Sequence, residues 1–150
     1  MPAQFARSRF PAGVTQNTCK HLPGTDVDKT ILIVEDQDEL RLLIRLALNP
    51  LGRILLASNA TQGIETMTKE RPDVVVLDVW LGQGGSGLDV CAAIRASADS
   101  NATRVLMLSA CGQQSDIEAG MKAGADRYMI KPFTPQGLIS AVASLLEASH

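Results

Sequence analysis

The stretch Ile31-Leu32-Ile33-Val34-Glu35-Asp36 decides how the rest of this sequence is read, because a short β-branched apolar run ends abruptly in two acids. Such a run reads as a β-strand. The residues that follow change period. Leu40, Leu43, Ile44, Ala47, Leu48 and Leu51 fall on one face of a helix, with Asp38 and Glu39 near its positive N-terminal end. The same alternation continues down the chain. Further strands are predicted at Arg53–Ala57, Val74–Leu77, Val105–Leu108 and Arg127–Ile130, and further helices at about Ala60–Glu70, Gly87–Ala96, Ser115–Ala123 and Pro135–Ala148. Parallel strands need crossover connections, so five successive strand–helix units imply an α/β fold: a doubly wound, five-stranded parallel sheet with five helices spread over both faces.

A chain of 150 residues with 45% hydrophobic content suits one globular domain with a real core. Residues 1–28 differ from the rest. They contain Pro2, Pro11, Pro23, Gly13 and Gly24, show no sustained period, and carry Arg7, Arg9 and Lys20 with no acid before Asp26. This segment reads as a flexible N-terminal tail ahead of a domain at 29–150. An organelle-targeting peptide is the other reading, although no amphipathic helix stands out. The formal net charge of −2 creates no overall field for nucleic acid, so direct nucleic-acid binding is not expected and any partner must be recognised locally. Cys19, Cys91 and Cys111 are odd in number and fit no metal-ligand spacing, which points to free thiols in a reducing compartment. No apolar run approaches the roughly 18 residues of a membrane span and no secretory signal is visible, so a cytoplasmic protein without membrane contact is expected.

In an open parallel sheet, ligands bind beyond the C-terminal ends of the strands. Here the first strand runs into Glu35 and Asp36, the third into Asp78, the fourth into Ser109 and Ala110, and the fifth into Lys131 and Pro132. An acid after a strand is often only a helix cap, and Asp36 alone would carry little weight. Three carboxylates on one rim are different, because they repel unless a cation joins them, and oxygen ligands suit Mg²⁺.

Taken together, Ile-Leu-Ile-Val-Glu-Asp at 31–36, Val-Val-Val-Leu-Asp at 74–78, Leu-Ser-Ala at 108–110 and Ile-Lys-Pro-Phe at 130–133 resemble the receiver domains of two-component response regulators. The resemblance covers about Lys29 to Glu147, including Ala-Gly-Ala-Asp at 123–126. It implies a flavodoxin-like strand order of 2-1-3-4-5. It also implies that Asp78 is the nucleophile that takes a phosphoryl group from a histidine kinase or a histidine phosphotransfer protein. Asp36 and Asp78 would be direct Mg²⁺ ligands, Glu35 the outer acid holding a metal-bound water, and the Trp80 carbonyl a further ligand. Lys131 would pair with Asp78 and then with the phosphoryl group, while Ser109 would donate to another phosphoryl oxygen. Ser109 and Tyr128 would form the switch that alters a surface near Gln114, Glu118, Lys122 and Arg127, where a downstream protein binds. Relatives also place a cis bond where this chain has Lys131-Pro132.

Some features depart from the commonest receiver pattern. The loop Val-Trp-Leu-Gly-Gln-Gly-Gly-Ser-Gly after Asp78 is longer and rich in glycine, and Trp80 puts a large ring where a small or polar side chain is usual. That ring either restricts water at Asp78 or only covers apolar surface. Gly82, Gly84 and Gly87 make a literal GxGxxG, the signature of dinucleotide binding, yet about 20 residues beyond Gly87 stands Met107 where an acid should hold a ribose. Cys111 lies two residues past Ser109, without a resolving partner that would support redox chemistry. Leu138, Val142, Leu145, Leu146, Met107 and Met121 are expected to pack in the core, and neither His21 nor His150 looks catalytic. The expected function is a stand-alone receiver that accepts a phosphoryl group, signals through protein contacts or relays it, and is no enzyme beyond its own phosphorylation chemistry. A phosphorylation-independent interaction module is the principal alternative, and a dinucleotide-binding protein a remote one.

Overall fold

Apolar runs at the centre of the chain need cover on both faces, and the chain supplies it with helices. In a computed structural model, the described residues are 29–81, 86–97, 102–110 and 112–148. The elements are β1 (Thr30–Val34), α1 (Asp38–Leu48), β2 (Arg53–Ala57), α2 (Ala60–Glu70), β3 (Val74–Asp78), α3 (Gly87–Ala96), β4 (Arg104–Ser109), α4 (Gln114–Lys122), β5 (Arg127–Ile130) and α5 (Pro135–Ala148). All strand pairs are parallel, and the sheet order is β2-β1-β3-β4-β5. This is the doubly wound five-stranded sheet expected from the sequence. The tail at 1–28 lies outside the described residues, as do Gly82, Gly84 and Cys111.

Alternation along each strand separates two cores. Ile31, Ile33, Val76, Leu106 and Leu108 face α1 and α5, where Ile44, Leu48, Leu138 and Val142 meet them. Leu32, Val34, Leu77, Val105 and Met107 face the other way, against Met67 of α2 and Val90, Cys91 and Ile94 of α3. β3 is buried along its whole length, whereas edge strands β2 and β5 keep exposed positions. The three inner strands therefore form the rigid centre.

Boundaries differ from the sequence reading in small ways. β1, β3 and β4 gain Thr30, Asp78, Arg104 and Ser109, and α4 starts and stops one residue early. The helical pattern after β1 ends at Leu48, with Leu51 in a separate 3₁₀ turn, Asn49–Leu51. Leu43 was expected on the buried face of α1 but is 63% exposed, because the sheet takes up the Ile44 and Leu48 stripe and leaves this flank open. Met121 was expected in the core and is 43% exposed instead. The cause is local: α4 meets β5 through Gly120, whose missing Cβ would stand 2.9 Å from the Tyr128 ring, so the close approach excludes larger residues and turns Met121 outward.

Two fixtures hold the loops. At the N-terminal end of the sheet Arg95 of α3 donates to Gly124 O (2.9 Å) and Thr103 O (2.7 Å) and pairs with Asp126 (2.7 Å), tying α3 to the turn before β5. At the opposite end Ser86 and Asp89 form a reciprocal capping box at the start of α3. Gly87 N donates to Val79 O at 2.8 Å, and a Cβ on Gly87 would lie 2.2 Å from the Asp78 carbonyl oxygen. Backbone cannot step aside as a flexible side chain can. Gly87→Ala is therefore expected to lower unfolding free energy by about 1–3 kcal/mol, the usual scale of overpacking, in denaturant titrations. A loss of under about 0.5 kcal/mol, typical of a surface change, would contradict this close approach.

Candidate functional site

Strand order reverses between β1 and β3, and the crevice at such a point is where an open sheet binds ligands. The sequence places acids there. Glu35 follows β1 and Asp78 ends β3, while Asp36 sits on the turn into α1. One carboxylate oxygen from each of the three lies within 4.8 Å of the others. Glu35 is 1% exposed and Asp78 5%, whereas Asp36 is open to solvent.

Lys131, which follows β5, reaches back across this cluster. Its Nζ donates to Asp78 Oδ2 at 2.9 Å and to Glu35 Oε1 at 3.3 Å. The Lys131–Pro132 bond is cis. Lys131 N donates to Ser109 O at 2.8 Å, so the end of β4 fixes the backbone that carries the amine. Main-chain donors hold the second oxygens of Glu35 and Asp78: Gln37 N to Glu35 Oε2 and Trp80 N to Asp78 Oδ1, each 3.1 Å.

Burial is the largest influence on Glu35 and pushes its carboxyl up from 4.5 to about 7; the Gln37 N–H opposes this, the Asp78 charge adds to it, and Lys131 opposes it. For Lys131, burial works against the charged amine, yet the hydrogen bond and charge of Asp78, followed by Glu35, outweigh burial and raise its pKa. Lys131 stays protonated while Glu35 is the acid that yields. The donor set fits a hard divalent cation such as Mg²⁺, because it offers convergent carboxylate oxygens whose mutual repulsion one amine offsets only in part.

Asp36, Asp78, Trp80 and Lys131 line a cavity of about 370 Å³. Ser109 is fully buried and faces a neighbouring cavity of about 240 Å³ with Trp80, Leu88 and Tyr128. The structure thus brings Glu35, Asp36, Asp78 and Lys131 together directly and sets Ser109 and Tyr128 beside them. Trp80 stands between the two cavities, 67% exposed, paired through its backbone with Ser86. Cys91 is buried, which pushes its thiol pKa up. Gly87 serves as the first residue of α3.

Arg41 escaped the sequence reading, although it stands one turn into α1. Its Nη1 donates to Glu35 O at 2.8 Å and its Nη2 pairs with Asp38. The Ser-x-x-Asp cap at 86–89 was missed as well, and its spacing was a readable signal.

The family model for the response regulator receiver domain matches residues 31–143. The phosphate regulon transcriptional regulatory protein PhoB of Pseudomonas aeruginosa is 33% identical over 121 residues, covering 80% of this chain and 52% of PhoB. A putative response regulator from Chloroflexus aurantiacus superposes with a TM-score of 0.74 at 32% identity, covering 79% of this chain and 98% of that one. The receiver domain of sensor histidine kinase PA1611 from Pseudomonas aeruginosa, solved with a magnesium ion coordinated in its active site cleft, gives 0.72 at 26% identity, covering 79% and 98%.

The fold and the acidic rim define a phosphorelay signalling domain of the two-component type. The chain belongs to the response regulator receiver domain family. Members of this family are phosphoacceptors served by histidine kinases and bind Mg²⁺ at an acidic pocket. The chain spans about half the length of the curated relatives it matches. Among the described residues, no helix is long and apolar enough to cross a membrane.

The raised Glu35 pKa fixes the sign of a pH effect. In the folded, metal-free protein Glu35 keeps its proton up to about 7, whereas the unfolded chain loses it near 4.5. Its contribution to stability is therefore complete below 4.5 and is lost as pH rises through about 7. Denaturation without divalent metal at about pH 5 and about pH 8 should show stability falling with pH in the parent and falling less in Glu35→Gln. Equal slopes in the two proteins would remove Glu35 as the cause.

Proposed function

We propose that Asp78 accepts a phosphoryl group from a phosphohistidine partner, with Asp36, Asp78 and the Trp80 carbonyl holding Mg²⁺ and Glu35 holding a water of its shell. The observation that carries this reading is the Lys131 amine seated 2.9 Å from Asp78 at the rim of a cavity that Asp36 also lines. One Asp78 oxygen attacks phosphorus in line with the phosphorus–nitrogen bond. That bond breaks, its electron pair stays on the imidazole nitrogen, and solvent protonates the departing histidine. The new bond is an acyl phosphate on Asp78. Phosphoryl transfer depends mainly on positioning and on neutralising oxygen charge. Mg²⁺ supplies positive charge to the phosphoryl oxygens when bound. Lys131 adds positive charge beside Asp78 Oδ2, and the Ser109 hydroxyl would donate to a further oxygen. Once Glu35 has lost its proton, three ionised carboxylates against one ammonium leave a charge of about −2, which one divalent cation cancels.

A donor face adjoins the rim. Leu40, Leu43, Phe133 and Leu138 line a cavity of about 400 Å³ that also contains Lys131, and Leu42 and Leu46 are exposed beside it on α1. Leu40 and Lys131 belong to this cavity and to that of Asp78 alike, so the apolar surface is continuous with the reacting atoms. An amphipathic helix bearing the phosphohistidine fits such a surface, its apolar face in the groove and its imidazole directed at Asp78. The output face lies on the other side. A phosphoryl group that draws Ser109 toward it opens room for the Tyr128 ring, whose burial alters the surface of α4 and β5 near Gln114, Glu118, Lys122 and Arg127. The downstream partner is a protein that reads this surface, and a second phosphotransfer protein is the recipient if the phosphoryl group is relayed.

Incubation with acetyl phosphate and Mg²⁺ should add about 80 Da, the mass of one phosphoryl group, to the intact protein. Chelation of the metal and the Asp78→Asn substitution should each abolish the gain. A parent protein that stays unmodified would favour the phosphorylation-independent module, and an undiminished gain in Asp78→Asn would place the acceptor elsewhere.

A further inference from the structure

Asp36 is the exposed member of the acid cluster, on a turn between a strand and a helix, and a metal ligand in that position needs its backbone held. The peptide groups on both sides of it are fixed by named contacts. On one side the Glu35 carbonyl accepts from Arg41 Nη1 at 2.8 Å. On the other, Gln37 N donates to Glu35 Oε2 at 3.1 Å. Together these restrain the two torsions about the Asp36 Cα. Arg41 is itself anchored: its amide donates to Gln37 O at 2.9 Å in the first turn of α1, and its second guanidinium nitrogen pairs with Asp38. The guanidinium side chain is only 19% exposed, so the fork is partly shielded from solvent.

We infer that Arg41 is a positioning residue for divalent-cation binding, clamping the Glu35 carbonyl so that the Asp36 carboxylate is already aimed at the ion. This rests on the metal site set out under the proposed function and extends it to a residue that touches neither the ion nor the phosphoryl group. Residues that orient metal ligands typically change metal affinity 10- to 100-fold when removed. Arginine suits the role because its planar fork holds two acceptors at a fixed separation, which a lysine ammonium does not.

The sign of the effect separates positioning from simple electrostatics. A guanidinium near a cation repels it, so its removal would tighten Mg²⁺ binding if charge alone mattered. Loss of positioning weakens binding instead. The test is calorimetric titration of the full chain with MgCl₂, in the parent, Arg41→Met, Arg41→Lys and Asp36→Asn, with thermal stability of the metal-free proteins measured alongside. Arg41→Met, which keeps the aliphatic stem, should bind Mg²⁺ about 10-fold or more weakly. Arg41→Lys should fall between it and the parent. Arg41→Met that binds as tightly as the parent, or tighter, overturns the inference even if its metal-free stability drops, since a purely helical role would move only the latter. Should Arg41→Met not fold, parent-like binding by Arg41→Lys overturns the part assigned to the fork. A parent that takes up no Mg²⁺, or an Asp36→Asn protein that binds like the parent, sinks the metal-site reading itself, a failure distinct from that of Arg41.

Discussion

The contact between Lys131 and the carboxylates of Asp78 and Glu35 is the interaction on which the site depends. Two buried acids and one exposed acid meet at the ends of adjacent strands, an arrangement that would repel itself without positive charge. Lys131 offsets part of it, from a strand two places away from Asp78 in the sheet. Burial is the main cause of the raised pKa of Glu35, and the Asp78 charge that Lys131 opposes only in part adds to it. Asp78 and Glu35 share the one amine, so the charge of each bears on the other through Lys131.

The sheet makes this balance possible by fixing where each strand stops. β1 and β3 are adjacent and buried on both faces, so Glu35 and Asp78 reach the rim on the stiffest part of the molecule. Gly87 allows α3 to start directly against the Asp78 carbonyl, and the capping box at Ser86 and Asp89 closes that turn. Gly120 likewise lets α4 lie against Tyr128. The first close approach seats α3 at the end of β3, and the second seats α4 on the strand that carries Tyr128. Buried strands hold the charges, while Ser109 and Tyr128 border the second cavity.

Much of this was legible in the sequence. The short β-branched runs at 31–34 and 74–77 read as buried strands, and each led straight into acids, so the sheet and its charged rim were read from one pattern. Helix periods placed α2, α3 and α5 on their observed residues. The period was less informative where a helix meets a thin support. Leu43 and Met121 fit a buried stripe by spacing, yet α1 leaves one flank uncovered and α4 buries only Gly120 among its residues. Arg41 was invisible for another reason: its acceptor is a main-chain carbonyl six residues away, and no side-chain pattern marks such a contact. The placement of Ser109 in the cavity beside that of Asp78 was likewise a matter of three-dimensional direction rather than of motif.

Fluorine NMR of the protein with beryllofluoride, a mimic of the phosphoryl group, tests most directly whether Asp78 is the acceptor in a charge-balanced, metal-dependent site. Bound fluoride resonances should appear in the presence of Mg²⁺, weaken strongly on chelation, diminish in Lys131→Ala and vanish in Asp78→Asn. Bound resonances that survive in Asp78→Asn, or that form equally well with the metal removed, would contradict the assignment of Asp78 and the cation to one phosphoryl-accepting centre.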